Sequence, residues 1–312
     1  MEIVWLLVVG LLLAGWYALD GFALGAGMFL AALRGDARSR RHVVAAVGPF
    51  FLANEVWLIA FAGVLAVTFP DAEAALFTAL YPVIVLMVAA WLVRDLGMWF
   101  RARRPEPGWQ RWWETTQAVA SLVFAAAAGL FLGNAVQEPG DGVLRMLNPY
   151  GLLGALTTVA LFALHGTAFL ALRTTGELRE RARRAGGRLA PAALGLLVLL
   201  VATAPLASAT GLAPLALVPG LAGPAGVTVA WRAMRKGRDG TAFAGTVLAA
   251  ACLPLTAGAL MAGRLLDGVA GESTIDRLTM VALPILPFLL AAQAVLWWVH
   301  RHRLNDRSVT FF

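Results

Sequence analysis

Asp20 lies inside an apolar stretch running from Ile3 to Leu33, flanked by Gly21, Gly25 and Gly27. Asn54 and Glu55 lie in the next apolar stretch, and His165 lies in a later one. A carboxylate at membrane depth is costly unless it is paired, hydrated or protonated, so retained ionisable groups point to proton or ion chemistry. At the helical rise, Asp20 falls about 20 Å from Leu33 and Glu55 about 18 Å from Val43. Antiparallel neighbours joined by a short loop would therefore bring Asp20, Asn54 and Glu55 to one level. Gly21 and Gly25, four apart, allow close helix approach. Two readings stay open on the residues alone. Two acids sharing a site repel when both are charged, so they can load and release a proton. Alternatively, Asn54 or a hydroxyl caps a buried acid that ties two helices together. Arg94 and Asp95, at the end of the third stretch, either pair with these acids or snorkel to the surface. His165 offers haem ligation, proton transfer or a plain inter-helix hydrogen bond.

The elements that must hold these groups are membrane helices. The chain has 312 residues, 60% of them hydrophobic and only 14% charged, well below the charged share of soluble domains. Nine runs are long enough to span a hydrocarbon core. Their expected limits are Ile3–Leu33, Val43–Phe69, Ala75–Phe100, Trp113–Gln137, Tyr150–Leu172, Leu189–Ser208, Leu212–Trp231, Thr241–Arg264 and Leu278–His300. The fold class is all-α and polytopic. The start of the chain lacks the pattern of a cleaved signal peptide, so the first run reads as a retained helix. The seventh run carries Pro214, Pro219 and Pro224 and is expected to be kinked or broken.

The net charge of +7 resides in alternate connections. Arg34, Arg38, Arg40 and Arg41 follow the first run, and Arg101, Arg103, Arg104 and Arg111 the third. Arg179, Arg181, Arg183, Arg184 and Arg188 follow the fifth, and Arg232, Arg235, Lys236 and Arg238 the seventh. Arg301, Arg303 and Arg307 follow the ninth. The intervening connections (Asp71 to Glu73, Glu138 to Asp141, Gly268 to Asp276) are acidic or neutral. The positive-inside rule then puts the N-terminus outside and the C-terminus in the cytoplasm, and explains the basicity without nucleic acid. Trp5, Trp99, Trp109, Trp112, Trp113, Tyr150, Trp231, Trp297 and Trp298 gather near run ends as an interfacial belt. The lone Cys252 can form no internal disulfide and reads as a small core residue. Runs six to nine carry only isolated Thr203, Thr256 and Gln293. No phosphate-cradling loop, paired cysteines or metal-spaced His/Glu set is present.

The stretch Leu19-Asp20-Gly21-Phe22-Ala23-Leu24-Gly25-Ala26-Gly27-Met28 resembles the opening signature of subunit II of cytochrome bd-type quinol oxidases. So does Pro49-Phe50-Phe51-Leu52-Ala53-Asn54-Glu55-Val56-Trp57-Leu58. Arg94, Gly133-Asn134, Asn148-Pro149-Tyr150-Gly151-Leu152-Leu153 and Arg173-Thr174-Thr175-Gly176-Glu177-Leu178 follow in the family's order across residues 1–185. The resemblance implies a multi-pass plasma-membrane subunit with two four-helix bundles (1–137 and 150–264) and a peripheral helix (278–300). It implies no haem in this chain, with haems b and d in a partner subunit I, and quinol oxidation coupled to reduction of dioxygen to water. It further implies contact with membrane lipids, room for a bound quinone or lipid, and room for a small accessory subunit. Asp20, Asn54 and Glu55 would form a proton path, with Arg94, Asp95 and His165 as polar support. One departure stands out. The family's second-run motif usually reads Trp-Asp before the Asn-Glu/Gln-Val-Trp segment, whereas here Phe51-Leu52 takes that place, removing an aspartate the family is thought to use for protons. The alternatives are a proton-coupled secondary transporter and a purely structural membrane subunit.

Overall fold

The computed structural model describes residues 1–33, 36–137, 142–208 and 214–304, with Val143 described only through its backbone. Arg34, Glu138 to Asp141, Leu212 and Arg307 lie outside the described residues. Backbone polar groups in hydrocarbon must be satisfied within their own segment, which forces apolar runs of this length into helices. Among the described residues thirteen α-helices result: α1 (Glu2–Phe29), α2 (Ala37–Val47), α3 (Phe51–Thr68), α4 (Pro70–Ala79), α5 (Tyr81–Arg101), α6 (Pro107–Val136), α7 (Val143–Met146), α8 (Pro149–Arg173), α9 (Gly176–Ala207), α10 (Pro214–Arg235), α11 (Asp239–Asp267), α12 (Glu272–Ala282) and α13 (Ile285–Val299). Among the described residues, nine spans are long and apolar enough to cross a membrane, α12 and α13 together forming the last.

Several expected limits are corrected. The second run is not one helix from Val43: the chain turns at Gly48–Phe50 between α2 and α3, where Pro49 lacks a backbone donor and its ring crowds the preceding turn. The third run begins at Tyr81, after the separate α4, with Pro82 in the first turn of α5, a position that proline favours. The sixth helix starts well before Leu189, at Gly176, and continues through Pro191 and Pro205. The seventh is not broken, since α10 runs through Pro219 and Pro224. Trp5, expected at the interface, is fully buried and donates its indole N–H to Thr279 Oγ1 at 3.1 Å.

The spans pack in two similar rings. α1 packs on α3 and α6, and α5 on α6. Likewise α8 packs on α9 and α11, and α10 on α9 and α11. The rings meet where α1 and α6 contact α8 and α11. Small residues set that seam. A Cβ on Gly25 would overlap the Phe162 carbonyl, and one on Gly166 the backbone at Gly25 and Ala26. Gly129 and Gly154 meet in the same way between α6 and α8. The last span lies outside the rings: only 6% of it is buried, against 67% for α6 and α8.

The basic connections converge at one end of the molecule. Glu114 accepts from Arg40 Nε at 2.5 Å and from Arg101 Nε at 2.9 Å. Asp36 accepts from Arg181 at 3.0 Å, and buried Asp239 from Arg179 at 2.7 Å and Arg303 at 3.1 Å. At the opposite end, Arg264 donates to the carbonyls of Ala135, Val136 and Gln137, and Asn148 donates to Asn134 Oδ1.

Candidate functional site: a four-residue charge cluster between the first three spans

Arg94 organises the site. It projects from α5 and is 3% exposed, although it sits among apolar residues. Its Nη1 donates to both Asp20 oxygens at 2.8 and 3.0 Å, its Nη2 to Glu55 Oε1, and its Nε to Asp95 Oδ1 at 3.1 Å. Three helices thus bring three carboxylates onto one guanidinium, whose planar fork suits that task better than an ammonium. The guanidinium carbon lies 5.8 Å from the centre of the Phe124 ring. Asp20 is fully buried and also accepts from Trp16 Nε1 at 3.2 Å. Trp16 in turn lies against Phe124, with centroids 5.3 Å apart.

The charge inventory decides what the cluster can do. Three ionised carboxylates against one guanidinium leave two uncompensated negative charges in a low-dielectric interior, where such an excess is expensive. Carboxylates in such excess over their counter-charge are chemically able to hold a proton.

Asp20 and Glu55 meet at one level as expected, but through Arg94. Of the two options for Arg94, pairing holds over snorkelling, and Asp95 joins it. Asn54 does not cap an acid. Its Nδ2 donates to the Leu19 carbonyl at 2.7 Å, and its Oδ1 accepts from Gln293 Nε2 at 3.1 Å. Gln293, read as isolated, is thus the anchor that holds the peripheral span beside the cluster. His165 is separate from the cluster. Its Nε2 contacts the Ala18 carbonyl and its Nδ1 contacts Thr246 Oγ1, both at 2.8 Å. A carbonyl only accepts, so Nε2 carries the proton and Nδ1 takes the Thr246 hydroxyl. Both ring nitrogens are engaged, so His165 links α1, α8 and α11 and presents no free nitrogen to an iron. Among the described residues no three His, Cys, Asp or Glu side chains group to hold a metal.

Sequence reasoning missed Trp16, Gln293, Thr246 and the Arg40–Glu114–Arg101 group. Glu114 could have been found, because it falls inside the expected fourth run. Gln293 and Thr246 carry no local signal, since each finds its partner on a span far away in the chain.

The comparisons agree with this architecture. The family model described as cytochrome bd terminal oxidase subunit II matches residues 1–300. The chain is 31% identical over 195 residues to cytochrome bd-I ubiquinol oxidase subunit 2 of Escherichia coli K12, a match covering 59% of this chain and 52% of that one. The matched region thus spans about half the length of that relative. Cytochrome bd ubiquinol oxidase subunit 2 of Bacillus subtilis 168 is 26% identical over 334 residues, covering 97% of each chain. The structure of bd oxidase from Geobacillus thermodenitrificans superposes with a TM-score of 0.77 at 15% identity, covering 96% of this chain and 98% of that one. With nine apolar spans, these relatives make this a multi-pass protein of the bacterial inner membrane. The chain belongs to the cytochrome bd terminal oxidase subunit II family.

Proposed function

We propose that this chain is the haem-free subunit of a quinol-oxidising, dioxygen-reducing membrane complex. In this reading it docks on a haem-bearing subunit I, and the Asp20–Arg94–Glu55–Asp95 cluster holds and passes protons toward that partner. The observation that carries this is the position of the cluster. It lies directly behind an apolar face left exposed by α3 (Leu52, Val56, Ile59) and α5 (Leu92, Val93, Leu96). A large exposed apolar face suits a partner or lipid, and an excess of buried carboxylates behind it suits proton delivery across it. Reduction of dioxygen to water consumes protons, so a haem subunit needs such a supply. Leu52, which takes the place of the usual aspartate, is itself exposed on this face, so the route runs through Glu55 and Asp20.

In this reading the chain divides into two four-helix bundles, 1–137 and 150–264, with 278–300 peripheral. The basic end faces the cytoplasm by the positive-inside rule, which leaves the N-terminus outside. A cleft of about 710 Å³ is lined by Leu6, Phe61, Phe131, Leu215, Pro254 and Met261 and takes a lipid acyl chain or a quinone tail. The transporter alternative loses support, because α10 is continuous and the carboxylates gathered on Arg94 come from α1, α3 and α5 alone.

A tag on this chain provides the test. It should co-purify a larger subunit, giving a red-absorbing complex that consumes oxygen with quinol. The isolated chain should show no haem band. Glu55→Gln and Asp20→Asn should leave the spectrum intact while lowering turnover about a hundredfold, the low end of what a lost proton-transfer group costs. Wild-type turnover in both variants would reduce the cluster to a structural role.

A further inference from the structure

The cluster lies deep in the protein, and the route by which protons reach it is not explained by Asp20, Asn54 and Glu55. α6 supplies one. Along its face toward α1 and α5 stand Glu114, Gln117, Ser121 and Phe124, at the i, i+3, i+7, i+10 spacing that lines one side of a helix. The first three are polar and buried: Glu114 and Gln117 are 3% exposed and Ser121 is fully buried. Gln117 Nε2 donates to Met98 Sδ at 2.8 Å, a weak acceptor, while Gln117 Oε1 and Ser121 Oγ have no hydrogen-bond partner among the described residues. Buried polar atoms are normally satisfied, and orphaned ones mark places where water or function requires them.

Both ends of this stripe meet charged groups. At the basic end, a cavity of about 310 Å³ is lined by Leu30, Leu33, Arg40, Arg111, Glu114 and Thr115. Glu114, clamped between Arg40 and Arg101, forms one of its walls. At the inner end, Phe124 touches the Arg94 guanidinium and Trp16, the donor to Asp20. The seam is built from glycine: Gly97 on α5 faces Gln117, and Gly27 on α1 faces Ser121. Asp20 lies two turns along α1 from Gly27, about 10 Å, a distance that a proton path from Ser121 has to cover through intervening water.

We propose that Gln117 and Ser121 form the proton entry to the Arg94 cluster, drawing from the Glu114 cavity at the basic end. This rests on the proton-delivery reading above. Ser121 Oγ accepts a proton from the water on its cavity side and passes its own to the water beyond, so no charge is stranded. Gln117 cannot carry the proton; its free carbonyl orients the water that does. The Arg40–Glu114–Arg101 group positions the mouth and takes no part in transfer, because its carboxylate is held by two guanidinium groups.

The test uses the whole complex purified through this chain. Ser121→Ala with Gln117→Leu should lower quinol-driven oxygen consumption about a hundredfold and raise its solvent deuterium isotope effect, with the haem spectrum unchanged. Ser121→Thr with Gln117→Glu should restore both. If the double variant fails to assemble, Ser121→Ala alone, which removes one oxygen atom, is read in the same way. Wild-type turnover and isotope effect in these variants, while Glu55→Gln is slow, would overturn this entry and leave the cluster's role standing. Wild-type behaviour in Glu55→Gln as well would overturn both.

Discussion

The two rings of helices pack alike but cohere differently. The first is knit at its middle by charge: three carboxylates from α1, α3 and α5 on Arg94. The second has no buried ion pair at membrane depth among the described residues. Its α10 and α11 instead approach until Gly226 and Gly245 each face the other's carbonyl oxygen. Within lipid there is little hydrophobic force to bring helices together, so close packing of small residues is the usual solution. A ring that uses buried charge instead accepts a desolvation cost and acquires a titratable interior. The difference separates a half tied by charge from a half tied by close backbone packing.

Substitutions can break this contrast. Arg94→Leu should have the largest effect. Removing one partner of a buried ion pair costs about 3–5 kcal/mol, and here three carboxylates lose their counter-charge. The variant should accumulate poorly and melt early in detergent. Equal stability to wild type would mean that the cluster does not hold the first ring. Gly245→Leu tests the other ring. Overpacking of this kind typically costs about 1–3 kcal/mol, and thermal unfolding should show it while the first ring's chemistry, read as turnover of surviving complex, is unaffected. A loss confined to turnover would contradict the division of labour.

Smaller effects sharpen the picture. His165→Leu should cost about 1–3 kcal/mol by removing the bonds to the Ala18 carbonyl and the Thr246 hydroxyl, which keeps its bond to the Phe243 carbonyl. A double cycle with Thr246→Val should return a coupling of about 0.6 kcal/mol, typical of inter-helix hydrogen bonds in membranes. The smallest effect is expected outside the spans. Asp36 caps α2 by accepting from the Ser39 backbone N–H at 2.9 Å. Bonds from the Ser39 side chain and backbone, with a weaker pull from Arg181, hold its carboxyl below the usual range. A lowered folded-state value stabilises above the unfolded value of about pH 3.9, and that stability is lost as pH falls through the folded value. Asp36→Ala should cost about 1 kcal/mol as a lost helix cap. Asp36→Asn should retain the cap and flatten the acid limb of a melting curve. An unchanged acid limb would assign that limb to other carboxylates.

Much of the half tied by charge was legible because charge inside an apolar run has so few explanations. Asp20, Glu55 and Arg94 each violate the pattern around them, and helix rise alone placed the two acids at one depth. What the sequence left open was the pairing. Arg94 had a surface option as well, and only its bonds across to Asp20 on α1 and Glu55 on α3 remove it. Gln293 and Thr246 were illegible for a different reason: an amide or hydroxyl in a membrane helix costs little by itself, so nothing marks it until its distant partner is known. The seventh span shows the opposite error. Its prolines are conspicuous, yet the helix continues through Pro219 and Pro224, as membrane helices tolerate proline. The turn at Gly48–Phe50 had a visible cause in Pro49 and was hidden by the apolar residues on both sides.

The seam between α1 and α8 carries a mechanical consequence. Where Gly25 and Gly166 meet, main chain lies on main chain, with no side chains between them to slide or change rotamer. Tilting one half past the other has to part this backbone contact, and no side-chain layer lies there to take up the movement.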